Sequence, residues 1–169
     1  RSDKEELKYM TVRRQSFNLL RHHVKGKRTA PFIDDIIVLP EALPEFLPKL
    51  QYILSKYKKF VYTIVGHIGD GNFHIIPLMN LKKEENRALI PSLMEQVHKL
   101  VFLYGGSMTA EHNDGMIRTP FLKDMFGTEV TELFLQTKHV FDPQNIFNPG
   151  KKTQGDLSFA LSHISLKNK

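Results

Sequence analysis

The stretch Phe60-Val-Tyr-Thr-Ile-Val-Gly-His-Ile-Gly-Asp-Gly-Asn-Phe-His-Ile-Ile-Pro-Leu-Met79 decides how this chain is read. Two runs rich in β-branched and aromatic residues, 60–68 and 72–79, flank Asp70-Gly71, a strong short-range signal for a β-hairpin. A two-residue type I′ turn needs positive φ at both central positions, which Asp and Gly adopt at low cost. With Asp70-Gly71 as the loop, Gly69 faces Asn72, Ile68 faces Phe73 and His67 faces His74. Directly opposed residues share a face, with Cβ atoms about 4.5–5.5 Å apart. The two imidazoles are therefore expected as neighbours, with Ile68 and Phe73 pointing the other way into a core.

Around this hairpin the hydrophobic spacing sets the other elements. Leu7, Met10, Val12, Phe17 and Leu20 predict a helix over 4–20, and the basic, polar stretch 22–30 reads as a loop. Phe32–Leu39 reads as a strand between prolines. Phe46, Leu47, Leu50, Ile53 and Leu54 share one face of a helix over 43–57. Leu89, Leu93, Val97, Leu100 and Val101 predict one helix over 84–104, ended by Gly105-Gly106. Segment 107–117 reads as irregular, 120–141 as two helical pieces broken near Gly127, and the tail beyond Gly150 loses periodicity. After the first helix the order is β-α-β-β-α followed by more helix. That is an α+β pattern, a mainly antiparallel sheet with packed helices and C-terminal helices after it.

Composition narrows the function classes. At 169 residues, 41% hydrophobic and 25% charged, the chain can bury a real core and is not disordered in general. No apolar run approaches the roughly 20 residues of a membrane span, and the N-terminus lacks a signal-peptide layout. The chain starts at Arg1 rather than Met, which suggests a piece of something longer. Cys is absent, excluding disulfides, thiolate zinc sites and iron–sulfur ligation within it; this fits a cytoplasmic protein. The net charge of +6 comes from scattered Lys and Arg rather than a stripe interleaved with aromatics, so nucleic acid is not expected as a partner.

The histidine pair carries the chemistry. Buried together and uncharged, His67 and His74 need hydrogen-bond partners, and a divalent metal would satisfy both. Structural histidines remain the other reading, and a metal site needs a further ligand, usually a carboxylate. Glu111 in the polar loop 107–115 is the natural candidate. In an extended segment adjacent side chains point to opposite sides, so His112 is expected to face a different part of the pocket. An exposed capping loop before Pro120 is the alternative. His22, His23, His98, His139 and His163 show no such pairing and read as surface residues.

Three motifs in order resemble one family. Gly66-His-Ile-Gly-Asp-Gly-Asn-Phe-His74 is similar to the signature of the FAD-linked oxidase C-terminal domain, which includes D-lactate dehydrogenase, the glycolate oxidase large subunit and D-2-hydroxyglutarate dehydrogenase. Gly105-Gly106-Ser107 through Glu111-His112-Asn113-Asp114-Gly115 resembles its second block, usually Glu-His-Gly-x-Gly. Phe141-Asp142-Pro143 through Ile146-Phe147-Asn148-Pro149-Gly150-Lys151 resembles its C-terminal signature. The resemblance spans roughly 12–152.

It implies the C-terminal part of an FAD-dependent enzyme oxidising a D-2-hydroxy acid, lactate- or glycolate-like, to the 2-oxo acid. The FAD would be held mainly by an N-terminal domain, and no glycine-rich phosphate loop occurs here. Residues 1–119 would be the later part of a cap domain binding substrate and metal, and 120–169 the helical segment and tail returning to the FAD domain. By matched position, His67, His74 and Glu111 would hold zinc or manganese, and His112 would be the base beside the flavin. Arg13 would pair with the substrate carboxylate, Asn72 would orient the substrate, and Asn148 would lie near the flavin. The parent would be cytoplasmic or peripheral to a membrane, and relatives with fused iron–sulfur regions make such an electron-transfer partner conceivable. Two departures stand out. Asn113 occupies a position where the family commonly has glycine. Around Phe32-Ile33 no basic residue matches the lysine of the hydroxyglutarate enzymes, so hydroxyglutarate is not the expected substrate. A stand-alone metal- or ligand-binding domain and a metal-dependent hydrolase are the competing readings.

Overall fold

The computed structural model of the chain describes residues 2–24, 26–58 and 60–166, and at 16–23 the backbone only. Helix α1 (Asp3–His23) opens at Ser2, whose hydroxyl accepts the Glu5 N–H. Strands β1 (Arg28–Thr29) and β2 (Ile33–Ile37) follow, then α2 (Leu43–Ser55), β3 (Val61–His67) and β4 (Asn72–Met79). Central β4 pairs antiparallel with β3 along one edge and with β1 and β2 along the other. Helices α3 (Glu84–Arg87), α4 (Ile90–Leu103), α5 (Gly115–Arg118), α6 (Leu122–Phe141) and α7 (Leu157–Ser162) complete the α+β architecture expected from the sequence.

The core lies between the sheet and the α2–α4 pair. Ile33, Ile36, Phe73 and Ile75 from the sheet meet Phe46, Leu50 and Leu54 of α2 and Leu93, Val97 and Val101 of α4. Each such side chain contributes about 1.5–3 kcal/mol by burial. These are the apolar stripes expected on the two helices. The stripe of α1 behaves differently, because Leu7 and Val12 are 64% and 63% exposed. Phe17, Leu20, His22 and His23 lie outside the residues whose side chains are described.

Three expectations are corrected. The predicted helix over 84–104 is two, because Pro91 lacks an N–H to donate and suits a first turn, so α4 begins anew beside it. His98 is not a surface residue. It is 2% exposed on the inner side of α4, its ring edge-on to Phe121 at 4.7 Å between centroids. The hairpin loop holds four residues rather than two. Ile68–Asp70 form a 3₁₀ turn closed by Gly71, and His67 pairs with Asn72, Gly66 with Phe73 and Val65 with His74. Ile68 therefore sits in the turn, 61% exposed, instead of entering a core.

A tertiary contact favours the longer loop. Gly71 has φ 75°, its carbonyl accepts the Val38 N–H, and a Cβ there would lie 1.8 Å from the Val38 oxygen. The break in α6 falls at Gly127, φ 79° and ψ 171°, as the sequence predicts. Among the described residues no helix is long and apolar enough to cross a membrane.

Burial, with a smaller effect of Arg118, pushes the His98 imidazole down from 6.5 to about 4. The folded state holds it neutral while the unfolded chain protonates it, so stability falls as pH drops from 6.5 towards 4. Between pH 7 and pH 5 this amounts to about 2 kcal/mol, readable as a lower urea midpoint. His98→Leu should flatten that pH dependence; an unchanged slope would show that another group causes it. Gly71→Ala should cost at least ~2 kcal/mol through left-handed strain and collision with Val38. A wild-type urea midpoint for that variant would refute the docking of the turn on Val38.

Candidate active site

In the observed register His67 and His74 still share a face of the hairpin. The register differs from the expected one by two residues, and side chains alternate with a period of two. The pair is diagonal rather than directly opposed, with ring centroids 6.0 Å apart.

The second half of the site arrives from α4. Ser107 forms a two-way backbone bridge with Ile37, so the chain leaving Gly105-Gly106 runs beside β2. It then wraps around the Asp35 carboxylate, which accepts the N–H groups of Ala110, Glu111 and His112 and the Thr109 hydroxyl, at 2.8–3.2 Å. Because 109–112 is wrapped rather than extended, Glu111 and His112 do not diverge as expected. Both reach the histidine pair.

Glu111 Oε1 lies 3.0 Å from His74 Nε2, 3.5 Å from His112 Nε2 and 3.6 Å from His67 Nε2. The rings of His74 and His112 meet edge-on at 5.1 Å. Among the described residues, ligand-type atoms of Asp35, His74, Glu111 and His112 lie within 4.8 Å of one another, a group that does not include His67. His67, Glu111 and His112 are about half exposed, so the cluster opens outward, whereas His74 is mostly buried.

Asp34 supplies the orienting partner that sequence reading missed. Its Oδ1 lies 2.9 Å from His74 Nδ1. An ionised carboxylate only accepts, so the Asp34 contact places a hydrogen on His74 Nδ1 and leaves Nε2 to face Glu111. At 3.0 Å the Nε2–Glu111 contact is satisfied either by a proton on Nε2 or by a cation held between the two atoms. Three imidazoles and a carboxylate, one histidine backed by a second carboxylate, form a donor set suited to a divalent cation such as zinc or manganese.

The other expected site residues are placed as follows. Asn72 is 4% exposed; its Nδ2 donates to Asp35 Oδ1 and the Ile36 carbonyl, and its Oδ1 has no protein partner. Asn113 has φ 65°, the left-handed region that asparagine tolerates and glycine prefers. Arg13 lies exposed on α1. Asn148 is exposed in the C-terminal loop, where its Oδ1 accepts from Lys151 Nζ at 3.2 Å. That loop is braced by Asp142, which accepts the Ile146 and Phe147 N–H groups and pairs with Lys138.

The model of the C-terminal domain of FAD-linked oxidases matches residues 1–152. The chain belongs to this family. It is 32% identical over 141 residues to a D-2-hydroxyglutarate dehydrogenase of Pseudomonas putida, covering 83% of the chain and 14% of that protein. It is 27% identical over 119 residues to glycolate oxidase subunit GlcD of Bacillus subtilis, covering 70% of the chain and 25% of the relative. With a D-lactate dehydrogenase of Anaerostipes hadrus it shares 30% identity over 118 residues, 69% of the chain and 25% of the relative. The chain thus belongs to an FAD-linked oxidoreductase family and spans about a quarter or less of these relatives.

Proposed function

We propose that this chain is the substrate- and metal-handling part of a larger FAD-dependent enzyme that oxidises a short D-2-hydroxy acid to the 2-oxo acid. The observation that supports the metal part is the convergence of the His74, His112 and His67 Nε2 atoms on Glu111 Oε1 at 3.0, 3.5 and 3.6 Å, with His74 Nδ1 set against Asp34 at 2.9 Å. His67, His74 and Glu111 would hold the cation. When bound, the cation lowers the pKa of the substrate hydroxyl, and FAD accepts the hydride.

The remaining work falls to this chain. His112 Nε2 takes the hydroxyl proton, from a position beside His74 on the same open face. Asn72 Oδ1, the buried atom left without a protein partner, is the atom of that side chain free to meet a polar substrate group. Arg13 pairs with the substrate carboxylate and Asn148 lies beside the flavin, both by matched position. A lactate- or glycolate-sized substrate is favoured because Phe32 and Ile33 are buried apolar residues. They offer no cation for a second carboxylate. Residues 1–119 serve as cap and 120–169 lead back to the FAD-binding domain.

Elemental analysis of the full-length protein tests the cation site: wild type should carry zinc or manganese and His74→Ala far less. Equally little metal in both would remove the metal from the mechanism. In the same protein D-lactate or glycolate should bleach the flavin absorbance, and His112→Ala should slow bleaching by about 10²–10⁴-fold, the usual worth of a positioned base, with metal content retained. Bleaching by neither acid sinks the substrate class; wild-type bleaching in His112→Ala removes His112 as base.

A further inference from the structure

The readings of Glu111 as ligand and His112 as base require both to be held, yet each is about half exposed in a segment with neither helix nor strand. The restraint comes from β2. Between the pairs Ile33–Ile75 and Ile36–Phe73 the two residues Asp34 and Asp35 stand against the single residue His74, a β-bulge. In a regular strand consecutive side chains point to opposite faces. Here Asp35 takes φ 69°, and both carboxylates serve the site.

We infer that Asp35 is a positioning residue: its buried carboxylate, received by three consecutive backbone N–H groups, sets the angle at which Glu111 and His112 meet the hairpin histidines. The inference rests on the metal-and-base reading above. Successive N–H groups converging on an anion form a nest, here filled by a side chain of the same protein. Asp35 is 0% exposed. Its oxygens come close enough to His74, Glu111 and His112 to count as ligand atoms, but they are already engaged. Thr109 Oγ1, the N–H groups of Ala110, Glu111 and His112, and Asn72 Nδ2 all donate to them. Four of these donors converge on Oδ2 and Asn72 Nδ2 takes Oδ1, so the carboxylate is spent chiefly on the 109–112 backbone and the Asn72 amide. Burial pushes the carboxyl up, and the hydrogen bonds from His112, Ala110, Glu111 and Thr109 together outweigh it, keeping Asp35 ionised below the usual range.

Asparagine at this position would turn an N–H₂ group toward N–H donors, so Asp35→Asn in the full-length protein is the test. Hydrogen exchange at the 110–112 amides should accelerate at least tenfold, beyond any change at the β4 amides. Zinc affinity, measured by chelator competition, should weaken by about 10–100-fold, as for other residues that orient ligands. The absorption bands of the cobalt-substituted protein should shift as the ligand angles change. Unchanged exchange at 110–112, or a rise no larger than that of β4, overturns the inference, as does unchanged zinc affinity in a wild type that binds zinc. If wild type takes up no zinc, the metal reading fails and the exchange result alone decides the clamp. Should Asp35→Asn not fold, Thr109→Val removes one donor. Several-fold faster exchange confined to 110–112 then supports the clamp, and wild-type exchange there overturns it.

Discussion

The site depends on one constraint, the placement of two adjacent carboxylates on the same side of β2. A bulge opposite His74 makes this possible. Asp34 meets His74 Nδ1, and Asp35 turns toward the 107–112 segment to hold its backbone. One strand thus registers both halves of the site. On one side β4 carries His74 and, through the hairpin, His67; on the other the bridge from Ile37 to Ser107 brings in Glu111 and His112. Loss of the bulge would place consecutive aspartates on opposite faces, and one half of the site would lose its anchor.

Parity explains why the histidine pair was legible although the turn was not. Asp70-Gly71 signals a tight two-residue loop, whereas the chain forms a four-residue turn because Gly71 docks on Val38, a contact remote in sequence. Moving the register by two leaves every side chain on its face; moving it by one would have buried the wrong set and separated His67 from His74. Alternation is a local property, and so is the apolar stripe on α2 and α4, which is why those features could be read directly. Turn length is settled by packing against other segments and could not.

The misreadings share that origin. Asp34 and Asp35 look like the polar interruptions of an otherwise apolar strand, and nothing nearby in the chain reveals that their partners lie about forty and seventy-five residues away. A positive φ at a non-glycine residue leaves no mark in composition. Adjacent Glu111 and His112 were expected to diverge because an extended backbone was assumed; wrapping around an anion cancels that alternation. His98 sits at the helical spacing of core residues, at i+4 from Met94 and i−3 from Val101. Its polarity outweighed its position in the reading of the sequence, whereas in the fold its position prevails.

The order of the three motifs has a physical basis beyond the histidine cluster. Arg118, buried in α5, donates to the carbonyls of Asn113 and Asp34, joining the second motif to the bulge that orients the first. Lys152 pairs with the buried Asp114 carboxylate, and its own N–H donates to Thr119 Oγ1. The Thr119 hydroxyl in turn donates to the Gly115 carbonyl. The segment just after Asn-Pro-Gly-Lys is therefore fastened to the loop that presents His112. Lys152 is itself exposed, but removing it would leave the buried Asp114 carboxylate without its cation. Changes at Lys152 should therefore act on the 111–115 loop although Lys152 lies in neither of the first two motifs. The three motifs form one connected network with Asp34, Asp35, Asp114 and Arg118 at its joints.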